Sequence, residues 1–143
     1  MCRKESNMNI LFFLTPKAEV AYVDADSTVR QALEKLENSG YTALPIVSKQ
    51  GKYIGTITEG DLLWFVKHTT DLTLFDAEDI PLTKVKRRRD NKAVHVSEKM
   101  DSLWEKVVNQ NFVPVIDDDN IFIGIVTRKD IMLHVIKQCQ NAS

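Results

Sequence analysis

Residues 43–66 read ALPIVSKQGKYIGTITEGDLLWFV, and residues 112–135 read FVPVIDDDNIFIGIVTRKDIMLHV. The two stretches align without a gap at a constant offset of 69 residues. The agreement extends beyond apolar character to residues with special backbone or polar properties. Because two unrelated segments would not share such a set, the chain is predicted to contain two copies of one motif. The matched pairs are Pro45 with Pro114, Tyr53 with Phe122, Ile54 with Ile123, Gly55 with Gly124, Thr58 with Thr127, and Asp61 with Asp130.

An amphipathic helix is predicted upstream of each aligned stretch. Apolar residues recur there at positions i, i+3, i+4 and i+7, which places their side chains on one helix face. In the first copy, Thr28 and Gln31 match a capping box and favour a helix start at Thr28. The apolar sets are Val29, Ala32, Leu33 and Leu36 in the first copy and Met100, Leu103, Trp104 and Val107 in the second.

Each copy is therefore predicted to fold as strand, helix, strand, strand, helix (βαββα). The turns at 49–52 and 117–120 carry residues typical of hairpins. One motif alone would leave a helix face exposed, so the two motifs are expected to pack together as an α+β protein. The expected strands are 20–23, 44–48 and 53–58 in the first copy, with 93–96 opening the second copy.

The segments outside the motifs are expected to have supporting roles. Residues 10–14 form a short apolar run that we expect to cover the core. Acidic residues surround the basic run at 86–89, so a solvated linker is favoured over contact with a phosphate tail, a partner or nucleic acid. The predicted divisions are an N-terminal segment (1–14), motif 1 (15–68), a linker (69–92), motif 2 (93–137) and a C-terminal tail (138–143).

Composition and charge argue against several classes of protein. The chain has 19 lysines and arginines and 20 acidic residues, so its net charge of −1 does not favour general attraction to nucleic acid or anionic membrane. No segment approaches the roughly 20 apolar residues that span a bilayer. Cys2 and Cys139, near opposite ends, are not a disulfide framework and suit a reducing compartment. We therefore expect a cytoplasmic protein that binds neither nucleic acid nor membrane.

The most informative position is the junction where each hairpin ends and the final helix begins. Thr58 and Asp61 stand at the first junction, and Thr127 and Asp130 stand at the second. The first N–H groups of a helix lack internal partners and attract anions. A threonine hydroxyl can donate to a phosphate oxygen, and an aspartate can accept both hydroxyls of a ribose. The alternative is that the threonines are helix N-caps and the aspartates complement the helix dipole.

These residues carry a resemblance to a known family. The repeated apolar-Pro-apolar segment, followed by Gly-x-apolar-Thr-x-x-Asp, resembles a tandem pair of CBS domains (a Bateman module) over residues 15–137. The segments KAEVAYV (17–23), GYTALP (40–45), NFVPVIDD (111–118) and GIVTRKD (124–130) resemble bacterial CBS proteins that bind cyclic di-AMP or other adenine nucleotides. The resemblance implies that the two motifs pack about a pseudo-twofold axis and that each ligand cleft takes residues from both.

Two clefts for an adenine nucleotide are implied by the resemblance. In each, adenine would lie against apolar strand edges, and the junction of the other motif would contact ribose and phosphate. Cleft 1 would combine Ala21, Tyr22, Tyr41, Thr42, Ala43 and Pro45 with Thr127, Arg128 and Asp130. Cleft 2 would combine His95, Asn111, Phe112 and Pro114 with Thr58, Glu59 and Asp61.

The two clefts differ in charge. Arg128 and Lys129 stand beside the junction of cleft 1, whereas Glu59 and Gly60 occupy the same positions in cleft 2. A charge-assisted hydrogen bond to phosphate contributes about 1.5–3 kcal/mol, so cleft 1 is expected to be the main phosphate site. Cleft 2 could be empty, hold a less charged part of the ligand or be vestigial. The cyclic di-AMP binders of the family would have a basic residue at Glu19, so AMP, ADP and ATP stay beside cyclic di-AMP as candidate ligands.

The remaining polar and aromatic candidates do not indicate catalysis. The histidines, His68, His95 and His134, have neither metal-ligand spacing nor a carboxylate partner that would suggest a general base. Tyr41 could equally stack on a base or complete the edge of the core. No catalytic residue, metal site or required cofactor is predicted.

The predicted function is a non-enzymatic regulatory sensor that binds AMP, ADP, ATP or cyclic di-AMP and relays its occupancy to an unidentified partner protein. Exposed helix faces predict a homodimer formed through the four helices of each subunit. One alternative is a constitutive protein-interaction scaffold with vestigial clefts. A nucleotide hydrolase is the remaining alternative, and the lack of a paired acid and base, an activated nucleophile or a metal cluster argues against it.

Overall fold

Two compact units make up the chain in the computed structural model, which describes residues 9–69 and 74–141. The first unit is Ala21–Asp90, and the second combines Met1–Val20 with Asn91–Ser143. Each unit contains the strand, helix, strand, strand, helix order that the repeat predicts. Residues 15–20, which the sequence places at the start of motif 1, fold with the second unit instead.

The first unit is built on a three-stranded sheet. Strand β2 (Val23–Asp24) pairs in parallel with β3 (Ala43–Val47), which pairs antiparallel with β4 (Tyr53–Thr58). The parallel pair needs a crossover connection, and the first helix supplies it. The helices are α1 (Val29–Ser39), α2 (Glu59–His68), the short α3 (Leu74–Asp79) and a 3-10 helix at Leu82–Lys84.

The second unit repeats this sheet and adds one strand at its edge. Strand β5 (Val94–His95) is parallel to β6 (Phe112–Ile116), and β6 is antiparallel to β7 (Phe122–Thr127). The extra strand, β1 (Thr15–Pro16), pairs antiparallel with β7. The helices are α4 (Met100–Asn109), α5 (Arg128–Asn141) and 3-10 helices at Ile10–Phe13 and Lys17–Glu19. Helix α5 thus includes residues 138–141, where a tail was expected.

The strand predictions are right in place and partly wrong in length. The strand at 53–58 is confirmed, and the neighbouring strand is Ala43–Val47 rather than 44–48. The first strand is Val23–Asp24 rather than 20–23, because Val20 ends a 3-10 turn and donates its N–H to the Lys17 carbonyl at 3.1 Å.

The strand expected at 93–96 is also shorter than predicted. It is Val94–His95, because a turn begins there, in which Glu98 donates its N–H to the His95 carbonyl at 2.9 Å.

Both predicted amphipathic helices are confirmed. Helix α1 starts at a complete capping box, in which the Thr28 side chain accepts the Gln31 N–H and the Gln31 side chain accepts the Thr28 N–H. It ends at Gly40, whose φ of 72° is the left-handed conformation that favours glycine. Helix α4 begins after Lys99, which makes no side-chain cap.

Each unit has an apolar core of its own. In the first, the faces of α1 and α2 cover the sheet; in the second, α4 and α5 do so together with the N-terminal 3-10 helix. Full burial of one such aliphatic side chain contributes about 1.5–3 kcal/mol. Fully buried examples are Val29, Leu44, Ile57 and Leu62 in the first core and Ile10, Leu103, Val113 and Val126 in the second.

The segment expected to be a solvated linker is partly core. Ala77, Leu82 and Val85 are buried in the core of the first unit. Backbone hydrogen bonds also tie it to the start of α1, since Val29 donates to the Ile80 carbonyl at 2.9 Å and Leu82 donates to the Ser27 carbonyl at 2.8 Å. Apolar residues spaced between charges were the signal that the sequence offered for this packing.

The apolar run at 10–14 covers the second core, as predicted. Ile10 and Phe13 are buried, and the Phe13 ring meets Trp104 and His134 edge to face, with ring centroids 6.1 and 5.1 Å apart. Among the described residues, no helix has the length and apolar composition that crossing a membrane would require.

Candidate functional site

The two strand-to-helix junctions have the same backbone frame. Glu59, the first residue of α2, donates its N–H to the Thr42 carbonyl at 3.0 Å. Arg128, the first residue of α5, donates its N–H to the Asn111 carbonyl at 2.9 Å. The structure therefore brings Thr42 and Asn111 to the junctions of their own units.

Both junction threonines cap their helices. The Thr58 Oγ1 accepts the Asp61 N–H at 3.0 Å, and the Thr127 Oγ1 accepts the Asp130 N–H at 3.1 Å. Such a cap contributes about 1 kcal/mol to stability. The structural alternative considered for these threonines is therefore observed in both units, and each hydroxyl could still donate its own hydrogen to a phosphate oxygen.

Asp61 has a structural role beyond that of a helix cap. Its side chain is 1% exposed, and both carboxylate oxygens accept backbone hydrogen bonds. Oδ2 accepts the Thr58 N–H at 3.1 Å, and Oδ1 accepts the Arg88 N–H at 3.0 Å. A buried carboxylate is stable only when it is bonded in this way. Because Asp61 is buried, its carboxylate is not accessible to a ribose in this conformation.

Asp130, its counterpart, is exposed. Its Oδ2 faces the Thr15 hydroxyl at 3.4 Å, which is longer than the usual range of about 2.5–3.0 Å for such a bond. The second junction therefore presents an accessible carboxylate where the first junction presents a buried one.

The cationic residues of the second junction are both exposed, but they are held differently. The Arg128 guanidinium donates from Nε to the Val107 carbonyl at 2.8 Å and from Nη2 to the Val108 carbonyl at 3.5 Å. It thus satisfies carbonyls at the C-terminal end of α4 that have no partner within that helix. A guanidinium has five N–H donors, so these bonds leave capacity for an anion. Lys129 adds an exposed ammonium group beside it.

The strand-side residues predicted for cleft 1 lie in the first unit. Ala21, Tyr22 and Ala43 are half-buried, and the Lys35 ammonium stands 5.9 Å from the centroid of the Tyr22 ring. Pro45 is buried inside β3, opposite Thr56. Tyr41 is 60% exposed, so its alternative role at the edge of the core is excluded in this unit, and the stacking role stays a prediction.

The strand-side residues predicted for cleft 2 lie in the second unit. Phe112 and Pro114 are buried in β6, and Asn111 is exposed just before it. Phe112 and Pro114 therefore present little surface to a ligand in this conformation. Their combination with Thr58 and Asp61, like that of the cleft 1 residues with Thr127, stays a prediction.

His95 corrects the expectation that no histidine has a carboxylate partner. Its Nε2 lies 2.9 Å from Asp118 Oδ1, and its Nδ1 lies 2.6 Å from the Ser97 hydroxyl. The sequence hid this contact because Asp118 is in the 117–120 turn, which the pairing of β5 with β6 brings close. Asp118 is 90% exposed, so water surrounds the pair. The Ser97 N–H also donates to the same Nδ1 at 3.1 Å, so these contacts fit a water-exposed turn that follows β5.

Tyr53 is a half-buried phenol at the start of β4. The pKa of Tyr53 is raised to about 12, chiefly by burial; the hydrogen bond to Thr56 lowers the pKa, Asp90 raises it and Arg87 lowers it. Its hydroxyl lies 2.7 Å from Thr56 Oγ1. Tyr53 therefore stays neutral at physiological pH and anchors β4 rather than transferring protons.

Metal chemistry finds no support in the described residues. No group of three or more histidine, cysteine, aspartate or glutamate side chains lies close enough together there to hold an ion. Cys139 is exposed, and Cys2 lies outside the described residues.

Comparison with known families gives a match over most of the chain. Two CBS domains are matched, at residues 14–68 and 71–137. The chain is 25% identical over 134 residues to the cyclic di-AMP receptor B of Bacillus subtilis, covering 90% of this chain and 87% of that protein. It is 27% identical over 114 residues to an inosine-5'-monophosphate dehydrogenase of Methanocaldococcus jannaschii, covering 80% of this chain but only 21% of the enzyme.

Solved structures agree with the fold. The crystal structure of CbpB in complex with c-di-AMP matches with a TM-score of 0.84 and 24% identity, covering 96% of this chain and 93% of that one. The crystal structure of CBSX2 in complex with AMP matches with a TM-score of 0.65 and 22% identity, covering 90% and 96%. At these identities the matches show a shared fold, and the fold is that of paired CBS domains.

Proposed function

Because the chain belongs to the CBS domain family, with one domain in each half, we propose that it is a regulatory sensor that binds adenine nucleotides and catalyses no reaction. The observation that carries the proposal is the exposed second junction. There, Thr127, Asp130 and Lys129 stand at the open N-terminal end of α5, with Arg128 beside them.

Each group at this junction matches one part of a nucleotide. The N-terminal end of α5 and the ammonium of Lys129 favour a phosphate. The exposed Asp130 carboxylate can accept hydroxyls of a ribose. Arg128 can direct its remaining N–H groups to a second phosphate oxygen. The adenine would require an apolar surface with backbone groups that read its amino edge, for which Tyr41 and Ala43 are the proposed contacts.

AMP, ADP, ATP and cyclic di-AMP are all proposed as ligands. Relatives that bind cyclic di-AMP and AMP by name support adenine as the base. Glu19 is exposed in the second unit, and its negative charge would disfavour the additional phosphate of a dinucleotide nearby. We therefore expect mononucleotides to bind at least as tightly as cyclic di-AMP.

Isothermal titration calorimetry with the four nucleotides and adenosine tests the proposal. We expect measurable heat for at least one nucleotide and weaker binding of adenosine. Replacing Lys129 with alanine should weaken the binding of AMP by about tenfold, because one charge-assisted bond is lost. The affinity for adenosine should not change. No heat from any nucleotide at millimolar concentration would rule the function out.

A scaffold without ligands is the second candidate, and the apolar helix faces favour it. Leu63 and Val66 of α2 are exposed, as are Met132, Leu133 and Ile136 of α5. These faces also support the homodimer that we propose. A partner pull-down that does not change with added nucleotide would favour the scaffold, whereas nucleotide-dependent capture would favour the sensor.

The sensor would act on a separate regulated protein in the cytoplasm. Binding changes an equilibrium only if the ligand has different affinities for two states, so the partner must recognise one state better. The enzyme alternative would be favoured over the sensor if the protein hydrolysed ATP and an Asp130→Asn variant did not.

A further inference from the structure

We propose that residues 86–90 form a latch over the Thr58–Asp61 junction, so that each chain binds a single nucleotide, at the Thr127–Asp130 junction, until the latch is released. This inference rests on the proposed nucleotide-binding function. It assigns Asp61 to holding the latch and leaves Asp130 as the carboxylate available to a ribose.

The first fastening is the backbone bond from Arg88 to Asp61. The Arg88 N–H donates to Asp61 Oδ1 at 3.0 Å, while Oδ2 of the same carboxylate accepts the Thr58 N–H at 3.1 Å. Because Asp61 is buried beneath these contacts, a ribose could reach its oxygens only after the latch had moved away. The 1% exposure of Asp61 agrees with a closed junction.

The second fastening is Asp90, whose side chain bonds to the backbone of β4. Its Oδ1 accepts the N–H of Thr56 at 3.0 Å, and Thr56 is fully buried. The same oxygen accepts a hydrogen bond from Arg87 Nε at 2.8 Å, and Oδ2 accepts one from Nη2 at 3.4 Å. Asp90 is therefore tied to the sheet and to the basic run at once.

A third contact holds the outer side of the latch. The Arg88 guanidinium lies over the Trp64 ring at 4.7 Å from its centroid, and the Lys67 ammonium lies at the same distance from that ring. Trp64 belongs to α2, the helix that begins at the Thr58 cap. The basic run thus contacts both the strand and the helix that form the junction.

The other junction has a weaker cover. There, β1 pairs with β7 through Thr15 and Pro16, and the contact to the aspartate is the 3.4 Å approach of the Thr15 hydroxyl. This contact leaves Asp130 exposed to solvent. The two copies of the motif therefore differ in access to the carboxylate as well as in charge.

Gly55 provides a way to open the latch without changing any of its residues. A Cβ at this position would stand 2.6 Å from Arg87 Nε and 2.6 Å from Asp90 Oδ1. Both atoms belong to side chains rather than to backbone, so they can move aside while the strand stays in place. A Gly55→Ala change should therefore separate Asp90 from β4.

The test compares Gly55→Ala with Gly60→Ala in the intact chain. A Cβ at Gly60 would meet Thr58 Oγ1 at 3.7 Å, an ordinary contact, so this variant adds the same methyl group and leaves the latch closed. Hydrogen exchange at the Thr56 and Arg88 amides reports the latch, and titration with AMP reports the number of sites. Asp90→Ala is a second opening variant that removes the fastening itself.

We expect slow exchange and about one AMP per chain for the natural protein and for Gly60→Ala. In Gly55→Ala and Asp90→Ala, we expect exchange at Thr56 and Arg88 to be about tenfold faster or more, and a second AMP to bind. Two AMP molecules on the natural protein, or a single AMP on both opened variants, would overturn the proposal.

The exchange measurement separates this inference from the proposed function. If no variant binds AMP or any other nucleotide, the sensor function fails. Fast exchange of the Arg88 amide in the natural protein would overturn the latch by itself, because that bond would then be open.

Discussion

The carbonyl oxygen of Thr15 lies 2.1 Å from the point where a Cβ on Gly124 would stand. Gly124 has a φ of 155°, and the Cα of Pro16 would be 3.1 Å from the same Cβ. Strand β1 can therefore lie against β7 only because residue 124 has no side chain. Gly55 is its repeat partner, and a Cβ there would meet movable side-chain ends instead of backbone.

Replacing Gly124 with alanine is therefore expected to destabilise the protein. The methyl group would force the β1 backbone away from β7, at a cost of about 1–3 kcal/mol or more. Urea denaturation would show this loss in the free energy of unfolding. Gly55→Ala is the matched comparison and should cost less, because the side chains of Arg87 and Asp90 can move while the backbone stays in place, and its cost is the lost Asp90 acceptor of the Thr56 N–H. Equal losses in both variants would contradict the difference between the two copies.

Replacing Asp61 with asparagine should lower stability more than the same change at Asp130. An asparagine cannot accept hydrogen bonds through its amide nitrogen, so either the Thr58 or the Arg88 N–H would lose its buried acceptor. The expected loss is about 1–3 kcal/mol for Asp61→Asn and within about 0.5 kcal/mol for Asp130→Asn.

The same two substitutions should affect nucleotide affinity in the opposite order, with the larger effect at Asp130. Asp130→Asn should weaken AMP, whereas Asp61→Asn should leave the affinity of the second junction nearly unchanged. Urea denaturation and calorimetry on the same two variants provide both readings. A strong loss of AMP binding in Asp61→Asn, with full stability, would return Asp61 to the role of a ribose ligand.

Arg128→Ala should affect both folding and binding. Removal of the guanidinium leaves the Val107 carbonyl at the end of α4 without its charged donor, at a cost of about 1 kcal/mol at this exposed position. The affinity for AMP should fall more than the affinity for adenosine. Lys129→Ala is the comparison, since it should weaken AMP without lowering the stability of α4. If Arg128→Ala lowers stability alone, the guanidinium is only a helix cap.

The raised pKa of Tyr53 predicts that the protein loses stability at high pH. That pKa is about 12 in the folded protein and 10.0 in an unperturbed tyrosine, so the unfolded chain releases this proton first as the pH rises. The protonated phenol therefore stabilises the folded state by about 2 kcal/mol or less. This stabilisation is complete below pH 10 and is lost between about pH 10 and 12.

Denaturation at several alkaline pH values would measure this effect. A Tyr53→Phe variant lacks the ionisable hydroxyl, so its stability should fall less steeply over the same range. An identical slope in both proteins would mean that the Tyr53 phenol ionises equally well when folded.

Much of the local fold could be predicted from the sequence. The i, i+3, i+4, i+7 spacing located α1 and α4, and the Thr28 and Gln31 pair identified a capping box that the structure contains. The lengths of the first strands could not be predicted, since β2 and β5 are limited by turns at Val20 and Glu98 that depend on backbone hydrogen bonds. The position of both junctions followed directly from the repeat.

The sequence by itself determined that this protein has two copies of one motif, each ending in a threonine-capped helix with an aspartate one turn in. Those features are local, because a cap or a hairpin depends on residues within a few positions of each other. Only the tertiary structure decided which aspartate is accessible. The backbone of Arg88, 27 residues further along the chain, covers the Asp61 carboxylate, and no local sequence pattern indicates a contact over that separation. Asp130 is exposed, and this difference between two copies of one motif is the reason that we propose the second junction as the nucleotide site.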